Sequence, residues 1–280
     1  MWRLRLSIVP LLTIALAGQF ASGVNLVEVY ATVTNAQGEP VTDLGRDAFH
    51  VFEDGAPQTI ATFTAGDVPL SVAIALDRSF SMAGERLRIA KRAAAAFVAA
   101  LRPDDEVMIV TIGSEVETIM APGLARDAAA TRWETIDPWG ATLLYDAMRE
   151  AIDRVEARRG RRALLVISDG ADRGSEISAT ALIEHARRRD VLVYPIAITK
   201  ARPPVLAELA GVTGGRSIIV ADPARLEPAL AGLARELRSQ YLIGYAPARP
   251  PLDAPAWHAI DVRVDRPGVR VRARDGYDAR

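Results

Sequence analysis

The alternation of apolar and polar residues changes character twice along this 280-residue chain. Residues 26–33 (LVEVYATV) alternate and are rich in β-formers, which predicts a strand. Residues 49–53 and 58–63 are similar and flank Asp54-Gly55, a pair that predicts a hairpin. From residue 69 the pattern becomes one of short, continuously apolar runs separated by stretches of helical spacing. Residues 70–76 (LSVAIAL) read as a strand covered on both faces. Residues 85–101 place Ala90, Ala94, Phe97 and Leu101 on one helical face and stop before Pro103. Further strands are expected at 106–112, 115–120, 163–167, 191–196 and 217–220, and helices at 142–157, 178–188, 205–210 and 224–239. Beyond 240 the helices cease. Residues 241–245, 257–264 and 269–273 read as strands around a Pro-rich loop at 247–255.

Buried strands alternating with amphipathic helices predict an α/β fold, a Rossmann-like, doubly wound and mostly parallel sheet with helices on both faces. The N-terminal strands are too few to bury a core alone. They are therefore expected to pair with the C-terminal strands into one small β module. The expected organisation is a leader at 1–23, an N-terminal β segment at 24–68, the α/β domain at 69–240 and a C-terminal β segment at 241–280.

Composition narrows the function. A formal net charge of -1 supplies no field for nucleic acid or an anionic membrane. The short clusters at Arg162 and Arg187 to Arg189 read as solvated helix faces, so no nucleic-acid partner is expected. The absence of cysteine excludes disulfides, thiolate metal sites and a cysteine nucleophile. Arg3 and Arg5, the apolar run 6–17 and the small residues Ala21-Ser22-Gly23 have the layout of a signal peptide. That run is shorter than the roughly 20 residues of a membrane span. The expectation is an exported protein, periplasmic or secreted, with no transmembrane domain beyond that segment; the alternative is an uncleaved N-terminal anchor.

Candidate chemistry lies in three loops expected at the carboxyl ends of strands, where doubly wound sheets bind ligands. They are Asp77-Arg78-Ser79-Phe80-Ser81, Gly140-Ala141-Thr142 and Ser168-Asp169-Gly170. Asp77, Ser79, Ser81, Thr142 and Asp169 together offer two carboxylates and three hydroxyls. Such hard oxygen donors suit Mg²⁺ or Mn²⁺ and not zinc. Each piece has an ordinary explanation: Thr142 as a helix N-cap, Asp169-Gly170 as a turn. Their conjunction, in order, is the informative feature.

That order, Asp77-x-Ser79-x-Ser81, then Thr142, then Asp169, resembles the metal-ion-dependent adhesion site of von Willebrand factor type A domains. Residues 141–147 (ATLLYDA) and 165–172 (LVISDGAD) are similar to the family's usual context, and the resemblance covers residues 70–239. The flanks 41–63, 240–247 and 269–277 resemble exported bacterial proteins in which short β segments frame such a domain. The resemblance implies that Ser79 and Ser81 touch the metal directly and that Thr142 does so directly or through water. It implies that Asp77 and Asp169 act mainly through water and by fixing the hydroxyls. It further implies a non-enzymatic binding protein whose partner presents an Asp or Glu carboxylate to the metal. Arg78 and Phe80 stand where the family often has small residues. Phe80 faces a partner or packs under the loop, and Arg78 guides an acidic partner or covers the surface.

Two other functions compete. One is a metal-independent interaction domain with an unused site; the other is a metal-dependent hydrolase. An aspartyl-phosphate enzyme would need a carboxylate where Ser79 stands, and a serine hydrolase a Gly-x-Ser-x-Gly elbow that is missing. The stripe Leu226, Leu230, Leu233 and Leu237 on the last helix reads as core packing, although the family's last helix shifts in some members.

Overall fold

The computed structural model describes residues 26–66, 68–247 and 256–279. The expected leader and most of the Pro-rich loop lie outside the described residues.

The chain opens with strands β1 (Val27–Thr34), β2 (Phe49–Glu53), β3 (Ala56–Gln58) and β4 (Ile60–Ala65). The α/β region follows as β5 (Leu70–Asp77), α1 (Glu85–Ala99), β6 (Glu106–Ile112), β7 (Val116–Leu124), α2 (Leu144–Glu156), β8 (Arg161–Ser168) and α3 (Ala179–Arg187). It continues with β9 (Leu192–Ala197), α4 (Pro204–Val212), β10 (Ile218–Ile219) and α5 (Leu226–Arg238). The chain closes with β11 (Tyr241–Tyr245), β12 (Ala256–Val264), β13 (Arg270–Arg272) and β14 (Gly276–Ala279).

The central sheet has the order β10-β9-β8-β5-β6-β7 and is parallel except for β7, which runs antiparallel on the edge. Every residue of β5 is buried, as its unbroken apolar run requires. Its larger side chains, Val72, Ile74 and Leu76, face the core under α1 and α5. Its alanines, Ala73 and Ala75, face the core under α2, α3 and α4, opposite Ala147 and Ala151. Small residues on both surfaces let α2 lie close to the sheet. From β5 the chain winds to β6 on one side and later returns to β8 on the other. The carboxyl ends of β5 and β8 therefore flank the switch point where such sheets bind ligands.

The two ends of the chain form the small β module. β11 lies between β1 and β4, and β13 lies on the other side of β1. A second sheet has the order β14-β12-β2-β3, in which β12 of the C-terminal segment pairs with β2 of the N-terminal one. Val29, Val51, Tyr241 and Ile260 share a third core. Only two residues separate α5 from β11, and this joint is held from within. Arg161, fully buried, donates to Leu237 O and, at 3.4 Å, to Gln240 O, with its guanidinium 5.3 Å from the Tyr30 ring centre. Gln240 Nε2 donates to Thr32 at 2.8 Å and to Tyr194 at 3.0 Å. The joint sits at the amino end of β8. The candidate loops sit at its carboxyl end, roughly 23 Å away at about 3.3 Å per residue.

Several boundaries differ from the sequence reading. α2 starts at Leu144 and not at Thr142, because loop residues take over its capping: Ser175 Oγ accepts from Tyr145 N–H at 3.0 Å and from Asp146 N–H at 3.2 Å. β7 runs on to Leu124, past the expected end at 120, because its register with β6 shifts and then resumes. β14 was not anticipated; it pairs with β12 through Tyr277 opposite His258.

Candidate metal centre

The three loops are bonded to one another. Phe80 N–H donates to Gly140 O at 3.2 Å and Trp139 N–H to Arg78 O at 2.7 Å, which join the first loop to the second. Arg173 N–H donates to Thr142 O at 2.8 Å, which joins the second to the third. Ser168 Oγ donates to Asp77 Oδ2 at 2.6 Å, which joins the third to the first.

Asp77 is fully buried at the end of β5. Its Oδ1 accepts Ser79 N–H at 2.8 Å, and its Oδ2 accepts the Ser168 hydroxyl. Burial pushes its carboxyl above the usual range, while the Ser168 and Ser79 hydrogen bonds pull it down and the neighbouring Asp169 charge adds to the rise. A buried carboxylate held by neutral donors and lacking a cation is costly. Among the described residues no Lys or Arg pairs with Asp77.

Ser79 is buried and Ser81 half-buried, with their hydroxyl oxygens 3.1 Å apart. The alternation Ser79-x-Ser81 thus brings both hydroxyls to one side of the loop. Thr142 is 1% exposed, and its Oγ1 has no hydrogen-bond partner. The N-cap explanation fails for it, since no side chain caps α2 from its N-cap residue, Leu143. Asp169 is half-buried; Oδ1 accepts Ala171 N–H at 3.1 Å in a local turn.

Of the two variable positions, Phe80 stands out at 68% exposed. Arg78 instead turns toward β7. It pairs with Glu117 at 2.6 Å, with its guanidinium 5.3 Å from the Trp139 ring centre. Trp139, itself 41% exposed, is an aromatic neighbour of the site that periodicity alone did not single out. Beside Asp169 opens a cleft of about 460 Å³ lined also by Arg86, Lys200 and Ile198.

The sequence reading also passed over Ser168 and Asp172. Asp172 Oδ1 accepts from the Ser175 hydroxyl at 2.5 Å and from Tyr145 N–H at 3.3 Å, and so fixes the start of α2 behind Thr142. The histidines lie elsewhere: His50 pairs with Asp265, His185 with Asp153 and His258 with Asp54.

Residues 72–171 match the family model of the von Willebrand factor type A domain. No curated protein matches the chain in sequence. Among solved structures, a von Willebrand factor type A protein from Catenulispora acidiphila superposes with a TM-score of 0.55 at 13% identity, covering 92% of this chain and 75% of that one. Proximal thread matrix protein 1 of the mussel byssus gives 0.53 at 12% identity over 75% and 50%. The vWF domain of the type V pili tip protein Mfa5 from Porphyromonas gingivalis gives 0.50 at 12% identity over 60% and 94%. At these identities the likeness shows the fold. The chain carries a von Willebrand factor type A-type domain on a mixed α/β scaffold with additional antiparallel sheets.

Proposed function

We propose that Asp77, Ser79, Ser81, Thr142 and Asp169 hold Mg²⁺ or Mn²⁺ and that the site binds an acidic group of a protein partner. The observation that carries this reading is Thr142 Oγ1, a buried hydroxyl oxygen with no hydrogen bond, in a loop bonded to those that carry Asp77 and Asp169. Native interiors rarely leave such an atom unsatisfied. The donor set contains oxygen alone, which fits a hard dication. Bound there, the ion would supply a positive field only partly offset by its ligands and a position for an incoming carboxylate.

The chain's own residues favour the same partner. Arg86 and Lys200 line the cleft next to Asp169 and give it a basic wall for a second acidic group. Phe80 and Trp139 offer exposed aromatic surface beside the loops, of the kind that anchors partners. The fold-level neighbours include a pilus tip protein, which supports interaction as the role of this domain. Binding and not catalysis is the role we assign, because every described histidine is paired with a carboxylate away from the loops.

Export to the periplasm or beyond belongs to the same reading and rests on the N-terminal pattern. Among the described residues no helix is long and apolar enough to cross a membrane.

Calorimetric titration of the chain with Mg²⁺ and Mn²⁺, wild type beside Asp77→Asn, tests the site. Heat of binding in the wild type and its loss in the variant are expected; equal binding in both would overturn the assignment.

A further inference from the structure

A second cluster of metal-ligating side chains lies in the β module, outside the loops just described. Glu53 ends β2, Asp54 begins the following turn, and His258 lies on β12, the neighbouring strand. One oxygen of Glu53, one of Asp54 and one ring nitrogen of His258 lie within 4.8 Å of one another. The three come from the two ends of the chain, 204 residues apart between Asp54 and His258.

Glu53 is the telling member. It is 7% exposed, yet among the described residues no Lys or Arg pairs with it. Its Oε2 accepts the hydroxyls of Tyr245 at 2.8 Å and Tyr277 at 3.0 Å. A buried carboxylate met only by hydroxyls calls for a cation. The neighbouring imidazole, His258, is engaged with Asp54 at 2.7 Å.

We propose that Glu53, Asp54 and His258 form a transition-metal site of the zinc class, distinct from the oxygen-only loops of the α/β domain. An imidazole nitrogen with two carboxylates is a zinc-type set and a poor one for Mg²⁺. The outer contacts are those that orient ligands: two tyrosine hydroxyls behind Glu53, and Ala259 N–H on Asp54 Oδ1 at 2.9 Å. With metal bonds of about 2.0–2.1 Å, neighbouring tetrahedral ligands lie roughly 3.3 Å apart. The Asp54–His258 contact therefore opens slightly as the ion replaces the shared proton. The ion would clip the N-terminal hairpin to the C-terminal strand and close a long loop of chain.

The test is calorimetric titration with Zn²⁺ in the Asp77→Ala chain, so that its outcome is independent of the Mg²⁺ reading. One Zn²⁺ per chain and a rise in melting temperature with Zn²⁺ are expected, with no competition from excess Mg²⁺. His258→Gln and Asp54→Asn should each weaken uptake about tenfold or more while melting like the parent without metal. Asn suits the left-handed backbone at Asp54, φ 48°. No Zn²⁺ uptake by the parent, or equal uptake in His258→Gln, would overturn the site.

Discussion

Ser168 donates its hydroxyl to Asp77 Oδ2 at 2.6 Å, and both side chains are buried, so the end of β8 is latched to the end of β5. This contact fixes one carboxylate oxygen of Asp77 while Ser79 N–H fixes the other at 2.8 Å. The first loop is thereby shaped before any ligand arrives.

Ser168→Ala should cost about 1–3 kcal/mol, because it strips a donor from a buried carboxylate. Urea unfolding without divalent metal measures that loss. The same variant should bind Mg²⁺ more weakly, since only Ser79 N–H then holds the Asp77 carboxylate.

Thr142→Val has the opposite sign in the metal-free protein. It keeps the shape and removes a buried oxygen that bonds to nothing, so stability should hold or rise by up to about 1 kcal/mol. Mg²⁺ affinity should fall. Thermal melts with and without Mg²⁺ read both effects, and a large loss of stability without metal would show that the hydroxyl has a structural partner.

Phe80→Ser should leave stability within about 0.5 kcal/mol, as the side chain is 68% exposed. A pull-down eluted by chelator should recover less of a bound partner with this variant than with wild type. Equal recovery would remove Phe80 from the binding surface.

Glu106 and Arg158 give a pH prediction. Arg158 donates to both oxygens of Glu106, at 2.8 and 3.0 Å, and this holds the carboxyl below its usual range. A depressed folded value means that the contribution is fully present above the ordinary carboxylate range and is lost as pH falls through the folded value. Both side chains are about one-third exposed, so solvent screening limits the contribution to less than about 1 kcal/mol. The melting difference between wild type and Glu106→Gln should be visible near neutral pH and vanish in acid.

Much of the α/β layout was legible because periodicity is local. The apolar run of β5 and the stripe on α5 follow from which faces must be buried, and neighbouring residues alone display that. The candidate oxygen donors of the first loop could be picked out for a related reason: Asp77, Ser79 and Ser81 alternate within it.

The sequence by itself determined the alternation of strands and helices, the oxygen-only character of the loops and the need for the two chain ends to meet. The tertiary structure decided the relations between segments. It gave the capping of α2 to Ser175 and so left Thr142 Oγ1 without a bond. It tied Arg78 to Glu117 and left Phe80 in the open, and it set His258 against Asp54 across 204 residues. Local spacing fixes which way a side chain points along its own element. Which atom it meets depends on strand order and crossover, and these emerge only when the whole sheet closes.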